Sequence, residues 1–339
     1  MKIVRFSQNG HDPRLGCFLG SDRIADLEAS AAAFLASRGV VRAPVIAAAL
    51  FPHDSTRGFL EGGSASQDML AAMMDATRGG KFQPVAHALS SVRLHAPIAD
   101  PGKFICIGLN YKDHAAETNN PAPKQPPVFP KWANAIQDPG EPVLRPRGEK
   151  TLDWEVELGV VIGRTARFVK KDQALDYVYG YTIINDVSAR DFQFHTTQWS
   201  AGKVGDTLAP VGPYIADRTE ILDPHVLDLK TWVNGQLMQN FNTDDMAHKI
   251  PRCIEWVTSI HTLEPGDILA TGTNHRGLSA FQNGDVVELE TEGLGRLRFN
   301  IRDDLKRTWS RETRLQRQEK KLEPATTPQL TGKYTPAPK

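Results

Sequence analysis

Three acidic side chains in the stretch DWEVELGVVIG, residues 153–163, are the first candidates for chemistry. Asp153, Glu155 and Glu157 alternate with apolar residues at the start of a run rich in Val, Leu and Ile, which is typical of a β-strand. Because alternate strand residues share a face, Glu155 and Glu157 are predicted to point the same way, with Cα atoms roughly 6.6 Å apart. Such carboxylates repel each other unless a cation lies between them. The alternative is a solvated edge strand with charges on its wet face.

A third carboxylate follows a second apolar run, YGYTIIND, residues 179–186. Asp186 stands where this run opens into the polar turn SARD. Three carboxylates from two strands predict a site for a hard cation, with Mg²⁺ or Mn²⁺ as the expected cofactor and Ca²⁺ as a further candidate. No His or Cys stands at ligand spacing beside these acids, which disfavours zinc.

A histidine and a glutamate lie three residues apart in IGLNYKDHAAET, residues 107–118. If this segment is a helical turn, His114 and Glu117 share one face and can form a hydrogen bond. Such a carboxylate raises the basicity of the imidazole, so the pair is a candidate general base for water. The alternative is an exposed His beside a Glu on a short surface helix.

A lysine in the Gly-rich segment SAGKVGDTLAPVGP is a further candidate catalytic group. Lys203 lies between this turn and a predicted strand. Two interpretations stay open: the ammonium group is solvated, or it points at an oxyanion that develops during a reaction.

The composition excludes several classes of protein. The chain has 339 residues, with 40 basic and 40 acidic side chains and a pI near 7.2, which gives no global attraction to nucleic acid or anionic membrane. No apolar run is long enough to span a bilayer and no secretion signal begins the chain, so a cytoplasmic location is predicted. Cys17, Cys106 and Cys253 are widely spaced and odd in number, so we expect small buried hydrophobes rather than disulfides or a zinc site.

The elements that must position these groups fall into three predicted parts. Residues 1–98 form a small N-terminal domain, with strands at KIVRF and RLGCFLG and with two helices, the second capped by Ser66. Residues 99–304 form the catalytic domain, in which the proline-rich stretch 111–147 is interpreted as a long loop that serves as a lid. Residues 305–339 form a polar basic tail, interpreted as a solvated or subunit-embracing arm. Predicted strands of the second half are VELGVVIG, YGYTIIND, GPYIA, KTWVNG, DILATG, DVVELET and RLRFNI, with one helix around HKIPRCIEWVTSIHTL.

Several motifs together resemble the fumarylacetoacetate hydrolase superfamily. They are IGLNYKDHAAE, DWEVELGVVIG, GYTIINDVSARDFQ, W-x-x-GK-x-x-DT-x-x-P-x-GP, DILATGT and GDVVELETEGLGRL, in this order from about residue 100 to 300. The resemblance implies an α+β, mainly β fold, a mixed β-sandwich roll with a small N-terminal α/β domain, and a homodimer. It also implies small 2-oxo or 1,3-dioxo acids as substrates.

The resemblance implies a role for each candidate. The metal ligands are Glu155, Glu157 and Asp186, and the water-activating dyad is His114 with Glu117. Lys203 holds and polarises the substrate, and the pocket is lined by Lys131, Gly272 and Thr273.

Two departures from the family pattern refine this prediction. The usual Gly-Thr-Pro is replaced here by Gly-Thr-Asn in the loop GTNHRG, in which Arg276 is hypothesised to pair with a second substrate carboxylate and His275 to donate a proton. A solvated loop tip is the alternative. Ile107 stands where true fumarylacetoacetases carry an extra acidic ligand, which favours the three-carboxylate, acylpyruvase-like branch.

The function predicted first is metal-dependent hydrolysis of a C–C bond in acylpyruvate-type 1,3-diketo acids, such as fumarylpyruvate, in aromatic catabolism. Water activated by the dyad attacks the distal carbonyl, and the cation stabilises the departing pyruvate enolate. Because the same enolate serves other reactions, the alternatives are an oxaloacetate decarboxylase or tautomerase, a 2-oxo-enoate hydratase or isomerase, and a sugar-acid hydrolase or dehydratase. A non-catalytic protein that binds a partner through its basic tail is the alternative from another class.

Overall fold

A computed structural model of the chain describes residues 1–117, 123–149, 151–274, 279–308, 310–313, 316 and 319–322, without the side chains of 116, 117 and 194. Strands and helices alternate along the described chain, and strands predominate in its second half. The strands are β1 Lys2–Ser7, β2 Arg14–Leu19, β3 Arg23–Asp26, β4 Ala86–Ala88, β5 Arg93–His95, β6 Phe104–Ile107, β7 Val128–Lys131, β8 Ile136–Gln137, β9 Val143–Leu144, β10 Leu152–Asp153, β11 Val156–Ile162, β12 Val178–Asn185, β13 Ser188–Ala189, β14 Ala209–Asp217, β15 Asp228–Val233, β16 Gln236–Asn242, β17 Ile268–Ala270, β18 Val286–Thr291 and β19 Gly295–Arg302. The helices are α1 Leu27–Ala36, α2 Ala43–Leu50, α3 Thr56–Glu61, α4 Gly63–Arg78, α5 Lys112–Glu117, α6 Arg190–Phe194 and α7 Ile250–Ile260.

One large mixed sheet runs through the molecule in the order β4-β3-β2-β1-β14-β12-β11-β17-β6-β7. Its centre is antiparallel, with β11 between β12 and β17, whereas β17 and β6 run parallel. The strands of residues 1–98 join the same sheet through the pairing of β1 with β14. Strand β11, which contains the second glutamate of the Glu-x-Glu motif, is therefore a central strand with neighbours on both sides.

A second sheet, in the order β16-β15-β18-β19-β9, covers one face of the large sheet, and helices α1 to α4 cover the other. The residues of β11 divide between these layers as the pleat requires. Val156 and Leu158 pack in the core between the two sheets, whereas Val161 packs in the core on the helical side. Glu157, an even number of residues from Val161, lies on the face away from the second sheet.

Most predicted elements are present, and the mixed, strand-rich fold is the one expected from the sequence. Two expectations were wrong, and one strand was missed. Ser66 lies buried inside α4 rather than at its N-cap, because the helix begins earlier, at Gly63. The hairpin partner β16 was missed because its sequence, QLMQNFN, is polar. The stretch 111–147 is not a bare loop, since it contains α5, β7, β8 and β9.

All three cysteines are buried, as expected of small hydrophobes. Their burial raises the pKa of each thiol: Cys17 to about 11 and Cys253 to about 12, and that of Cys106 well above its ordinary value. Within the described residues no helix has the length and apolar character needed to cross a membrane.

Candidate metal centre and active site

The three acidic residues lie together where two central strands begin and end. Glu155 directly precedes β11, Glu157 is its second residue, and Asp186 directly follows β12. The ladder between these strands extends past Val156 and Asn185, because the backbone N–H of Asp186 donates to the carbonyl of Glu155 at 2.9 Å. This register places the three side chains at one end of the antiparallel pair.

The three carboxylates form a compact, buried group. Glu155, Glu157 and Asp186 each offer an oxygen, and these oxygens all lie within 4.8 Å of one another. Their exposed fractions are 5%, 2% and 0%. The alternative of a solvated edge strand is wrong, because the strand is central and its charges are buried.

Lys203 is one of the cations that balance this charge. Its ammonium group lies 2.7 Å from Glu155 Oε2 and 2.8 Å from Asp186 Oδ2. The position before Lys203 requires a glycine, because a Cβ atom on Gly202 would lie 2.5 Å from the carbonyl oxygen of Ala189. The interpretation of Lys203 as a solvated surface lysine is therefore wrong, and its catalytic role stays a prediction.

Lys131 is a second buried ammonium group in the cluster. It ends β7, pairs with Phe104 of β6, and places Nζ 2.5 Å from Asp186 Oδ1. The structure thus brings a residue of the predicted lid segment directly against a predicted metal ligand.

Arg190 is a third cation, and it was not among the candidates predicted from the sequence. Its guanidinium group lies 2.6 Å from Glu155 Oε1 and 3.3 Å from Asp153 Oδ2. Asp153, the first acid of the DWEVE motif, therefore faces Arg190 rather than the group of three acids that could hold a metal. The sequence signal was the arginine of SARD, which follows Asp186 closely at the same strand end.

Burial and repulsion between like charges raise the pKa of two acids here, Glu157 and Asp153. Burial, together with the Asp186 and Glu155 carboxylates, raises the pKa of Glu157 well above its ordinary value. Burial raises the pKa of Asp153 to about 7, against the opposing effect of Arg190. Burial disfavours the charged form of Lys203, yet Asp186 and Glu155 outweigh it and raise the pKa of this lysine.

The Gly272–Thr273 segment follows β17 and completes one side of the cluster. The backbone N–H of Gly272 donates to Glu157 Oε2 at 2.7 Å. Gly272 has φ +89°, and a Cβ atom there would lie 2.9 Å from Asn110, so the turn requires a glycine. Thr273 is buried beside it with an exposed fraction of 5%.

Helix α5 is present where the sequence predicted a helical turn, and it begins close to the segment that follows β17. Asn110 donates to the carbonyl of Thr271 at 2.8 Å, and the N–H of Asp113 donates to Asp245 at 3.0 Å. Burial and then the nearby Glu157 carboxylate raise the pKa of Tyr111, which directly precedes the helix.

His114 lies on this helix with partial exposure, whereas the side chain of Glu117 lies outside the described residues. His275 and Arg276 also lie outside the described residues.

The donor set fits a hard divalent cation. It consists of carboxylate oxygens, the ligands that Mg²⁺, Mn²⁺ and Ca²⁺ prefer. A cationic group, the Lys203 ammonium, already bridges Glu155 and Asp186, so the oxygens of these two residues converge on a position that suits positive charge. Glu155, Glu157 and Asp186 are therefore the residues that could hold the metal.

The fold is that of the fumarylacetoacetate hydrolase family, to which the chain belongs. The family description that matches residues 103–302 is "Fumarylacetoacetate (FAA) hydrolase C-terminal". The chain is similar to a mitochondrial oxaloacetate tautomerase of Xenopus laevis, with 40% identity over 250 residues, which are 70% of this chain and 76% of the relative.

Solved structures of the same superfamily cover most of the chain. A maleylpyruvate hydrolase from Sphingobium sp. SYK-6, in complex with manganese(II) ion and pyruvate, is 28% identical with a TM-score of 0.69, covering 89% of this chain and 99% of that one. A 2-hydroxyhepta-2,4-diene-1,7-dioate isomerase from Mycobacterium marinum is 28% identical with a TM-score of 0.66, covering 90% and 99%. Members of this family are generally enzymes, namely hydrolases, isomerases and tautomerases.

Proposed function

We propose that this protein is a divalent-metal-dependent enzyme that interconverts the keto and enol forms of a small 2-oxo acid, with oxaloacetate as the first candidate substrate. The observation that carries the proposal is the group of three buried carboxylates, with oxygens within 4.8 Å, against which two lysine ammonium groups lie. When bound there, Mg²⁺ or Mn²⁺ supplies a Lewis acid for the negative charge that develops on a carbonyl oxygen.

The protein groups divide the remaining work. Lys131 and Lys203 are buried cations beside the carboxylates, and they favour an anionic substrate over a neutral one. His114 is the candidate base that moves a proton to or from the carbon next to the carbonyl. Gly272 and Thr273 line the same strand end and limit where the substrate carboxylate can lie.

The comparison with relatives changes the order of the predicted reactions. The sequence alone placed hydrolysis of acylpyruvates first, yet among relatives whose descriptions name a substrate the tautomerase is 40% identical, whereas the maleylpyruvate hydrolase of known structure is 28% identical. Tautomerisation also needs fewer catalytic groups than hydrolysis, because it requires charge stabilisation and a proton transfer at carbon but no positioned water. These two points support keto–enol chemistry as the first candidate.

Hydrolysis of an acylpyruvate is the second candidate, supported by the maleylpyruvate hydrolase neighbour that binds manganese and pyruvate. In this reaction water adds to the distal carbonyl, the C–C bond breaks, and its electron pair stays on the pyruvate carbon, which then takes a proton. His114 with Glu117 would remove the proton from water. The products are a carboxylic acid and pyruvate.

A spectrophotometric assay separates the two candidates. Loss of the enol absorbance of oxaloacetate should accelerate with Mn²⁺-loaded protein and return to the spontaneous rate with EDTA. Acetylpyruvate and fumarylpyruvate serve as hydrolysis substrates, with pyruvate release as the readout. Pyruvate release from these diketo acids without faster oxaloacetate enol decay would reverse the order, and no metal-dependent change with any substrate would contradict both.

A His114→Ala variant tests the role of the helix α5 histidine. We expect turnover to fall by about 10²- to 10⁴-fold, which is the usual contribution of a general base, with Mn²⁺ affinity unchanged in calorimetric titration. Lys112→Ala is the matched control, because Lys112 is exposed on the same helix. Equal losses in both variants would indicate damage to the helix instead.

We further propose a cytoplasmic homodimer that binds neither nucleic acid nor membrane. The family resemblance supports the dimer, and the balanced charge supports the absence of nucleic-acid and membrane binding. Light scattering during size-exclusion chromatography tests the dimer, since a monomer mass at all concentrations would contradict it.

A further inference from the structure

We propose that Gln239 is a positioning residue of this site: its amide holds the hydroxyl of Thr273 as a hydrogen-bond donor to the carboxylate of the 2-oxo acid. Gln239 lies on β16 of the second sheet, with an exposed fraction of 2%. The inference rests on the proposed function, because it assigns a role toward that substrate.

Every hydrogen-bonding group of the Gln239 amide has a partner within the protein. Its carbonyl oxygen accepts from the Thr231 hydroxyl at 2.8 Å and from the backbone N–H of Val156 at 3.3 Å. Its NH₂ group donates to Thr273 Oγ1 at 3.1 Å and to the backbone carbonyl of Asn274. These contacts use both lone pairs and both hydrogens of a glutamine side chain.

Two backbone groups fix which end of this amide is which. The N–H of Val156 can only donate, so it must face the amide oxygen, and the carbonyl of Asn274 can only accept, so it must face the NH₂ group. A flipped amide would place like groups against both. The Gln239 group that meets Thr273 is therefore a donor.

The direction of the Thr273 hydroxyl follows from this. Because Thr273 Oγ1 accepts from Gln239, its own hydrogen must point elsewhere. Among the described residues its acceptor is the Asn274 carbonyl at 3.3 Å, which is long for an O–H···O hydrogen bond. A substrate carboxylate is a stronger acceptor for this hydrogen.

Gln239 also connects the two sides of the site. Val156 lies between Glu155 and Glu157, and Thr273 follows Gly272, whose N–H binds Glu157. One side chain of the second sheet therefore ties the strand of the metal-ligand candidates to the loop that lines the pocket. The interaction leaves the carboxylates themselves untouched.

Four variants test the assignment. Gln239→Glu keeps the shape but replaces the donor toward Thr273 by an acceptor, and Gln239→Met removes all hydrogen bonds without adding a buried charge. Thr273→Val removes the hydroxyl. Thr231→Val is the control, because it removes another hydrogen bond of the same amide while leaving Thr273 in place.

Binding of oxalate to the Mn²⁺-loaded protein is the main readout, since oxalate carries a carboxylate and adjacent oxygens like a 2-oxo acid but does not react. We expect both Gln239 variants and Thr273→Val to raise the oxalate Kd, and the KM for oxaloacetate, by about tenfold or more. In these three variants the Mn²⁺ affinity should change by less than about threefold, and kcat should change less than KM. The control variant Thr231→Val should bind oxalate within about twofold of wild type. A threefold change in affinity corresponds to about 0.65 kcal/mol, and a twofold change to about 0.4 kcal/mol.

A double-mutant cycle separates this role from a structural one. In the Thr273→Val background, Gln239→Met should raise the oxalate Kd by no more than about twofold, because the hydroxyl that it orients is already absent. A tenfold effect in both backgrounds, normal oxalate binding by Gln239→Met, or no oxalate binding by the loaded wild type would overturn the proposal.

Urea unfolding of the metal-free protein provides an arm that does not depend on the proposed function. We expect the same cycle to show a coupling of about fivefold in the unfolding constant, as one hydrogen bond gives. If the wild type binds no Mn²⁺, the proposed function fails while this coupling still decides whether the amide holds the hydroxyl. Additive effects on unfolding would overturn that contact.

Discussion

Two buried ionic clusters among the described residues differ in how their charges are arranged. In the site cluster, three carboxylates converge on one point and face the cations Lys131, Lys203 and Arg190. In the C-terminal cluster, two carboxylates face two guanidinium groups: Arg145 pairs with Glu149 and lies 3.5 Å from Asp303, and Arg307 pairs with Asp303.

The C-terminal cluster has the features of a structural tie. Arg307 also donates to the backbone carbonyls of Pro146, Arg147 and Glu149, and so fastens the chain after β19 to the segment before β10. Burial opposes ionisation of Asp303, yet hydrogen bonds from Arg307 lower its pKa below the ordinary value. In the C-terminal cluster the guanidinium groups lie between the carboxylates, whereas acids crowded together, as Glu157 shows, retain repulsion that a divalent cation would relieve.

The largest effect is expected from Glu157→Gln. The substitution keeps the size of the side chain but removes a charged ligand, so Mn²⁺ binding should fall by at least about 100-fold, beyond the usual loss from a residue that only supports a ligand. Metal-dependent turnover should disappear with it. A normal calorimetric isotherm for Glu157→Gln would show that the site cluster is another structural tie.

Lys203→Met should separate metal binding from turnover. A metal ion held by Glu155 and Asp186 competes with the Lys203 ammonium for their oxygens, so its removal should increase Mn²⁺ affinity, by about tenfold if roughly 1.4 kcal/mol of competition is relieved. Turnover should nevertheless fall by about 10²- to 10³-fold, because a group that stabilises developing negative charge is lost. Weaker Mn²⁺ binding by Lys203→Met would mean that the lysine supports the ligands instead of competing.

Arg307→Met is the corresponding variant in the C-terminal cluster. It leaves the buried carboxylate of Asp303 with weakened compensation, so the free energy of unfolding should fall by about 3 to 5 kcal/mol. Mn²⁺ affinity should stay within about twofold of wild type. Urea unfolding and calorimetry on the same preparation measure both quantities, and a selective loss of metal affinity would erase the distinction between the clusters.

The smallest effect concerns pH. Burial raises the pKa of Glu149 from 4.5 to about 7, and among the described residues its Oε2 atom has no hydrogen-bond partner. A raised pKa in the folded state means that the stabilisation is fully present below pH 4.5 and is lost as the pH rises through about 7. The loss should be up to about 3 kcal/mol.

Glu149→Gln tests this dependence in metal-free protein. Between pH 5 and 8, its stability should decline less than that of the wild type, as measured by urea unfolding. Some decline should remain, because Asp153 also has a pKa of about 7 and the same sign of effect. An unchanged wild-type slope in Glu149→Gln would show that Glu149 is ionised in the folded protein throughout this range.

The strand pattern and the acids at the strand ends could be predicted from the amino-acid sequence. Apolar runs predicted β11 and β12, and the position of Asp186 after the second run predicted that it would lie near Glu155 and Glu157. These features depend on the local spacing of apolar and charged residues, which can be read from the sequence without any information on tertiary contacts. The family motifs added the candidate roles of the side chains.

The cations that meet these acids, and the contacts that hold the Gly272–Thr273 segment, could not be predicted in this way. Lys131, Lys203 and Arg190 come from three separate segments, and Gln239 comes from a polar strand that the pattern did not predict. Contacts between residues this far apart in sequence depend on how the two sheets pack and on strand register, neither of which leaves a periodic signal. For the same reason a buried lysine and a solvated one have the same local sequence, and only packing distinguishes them.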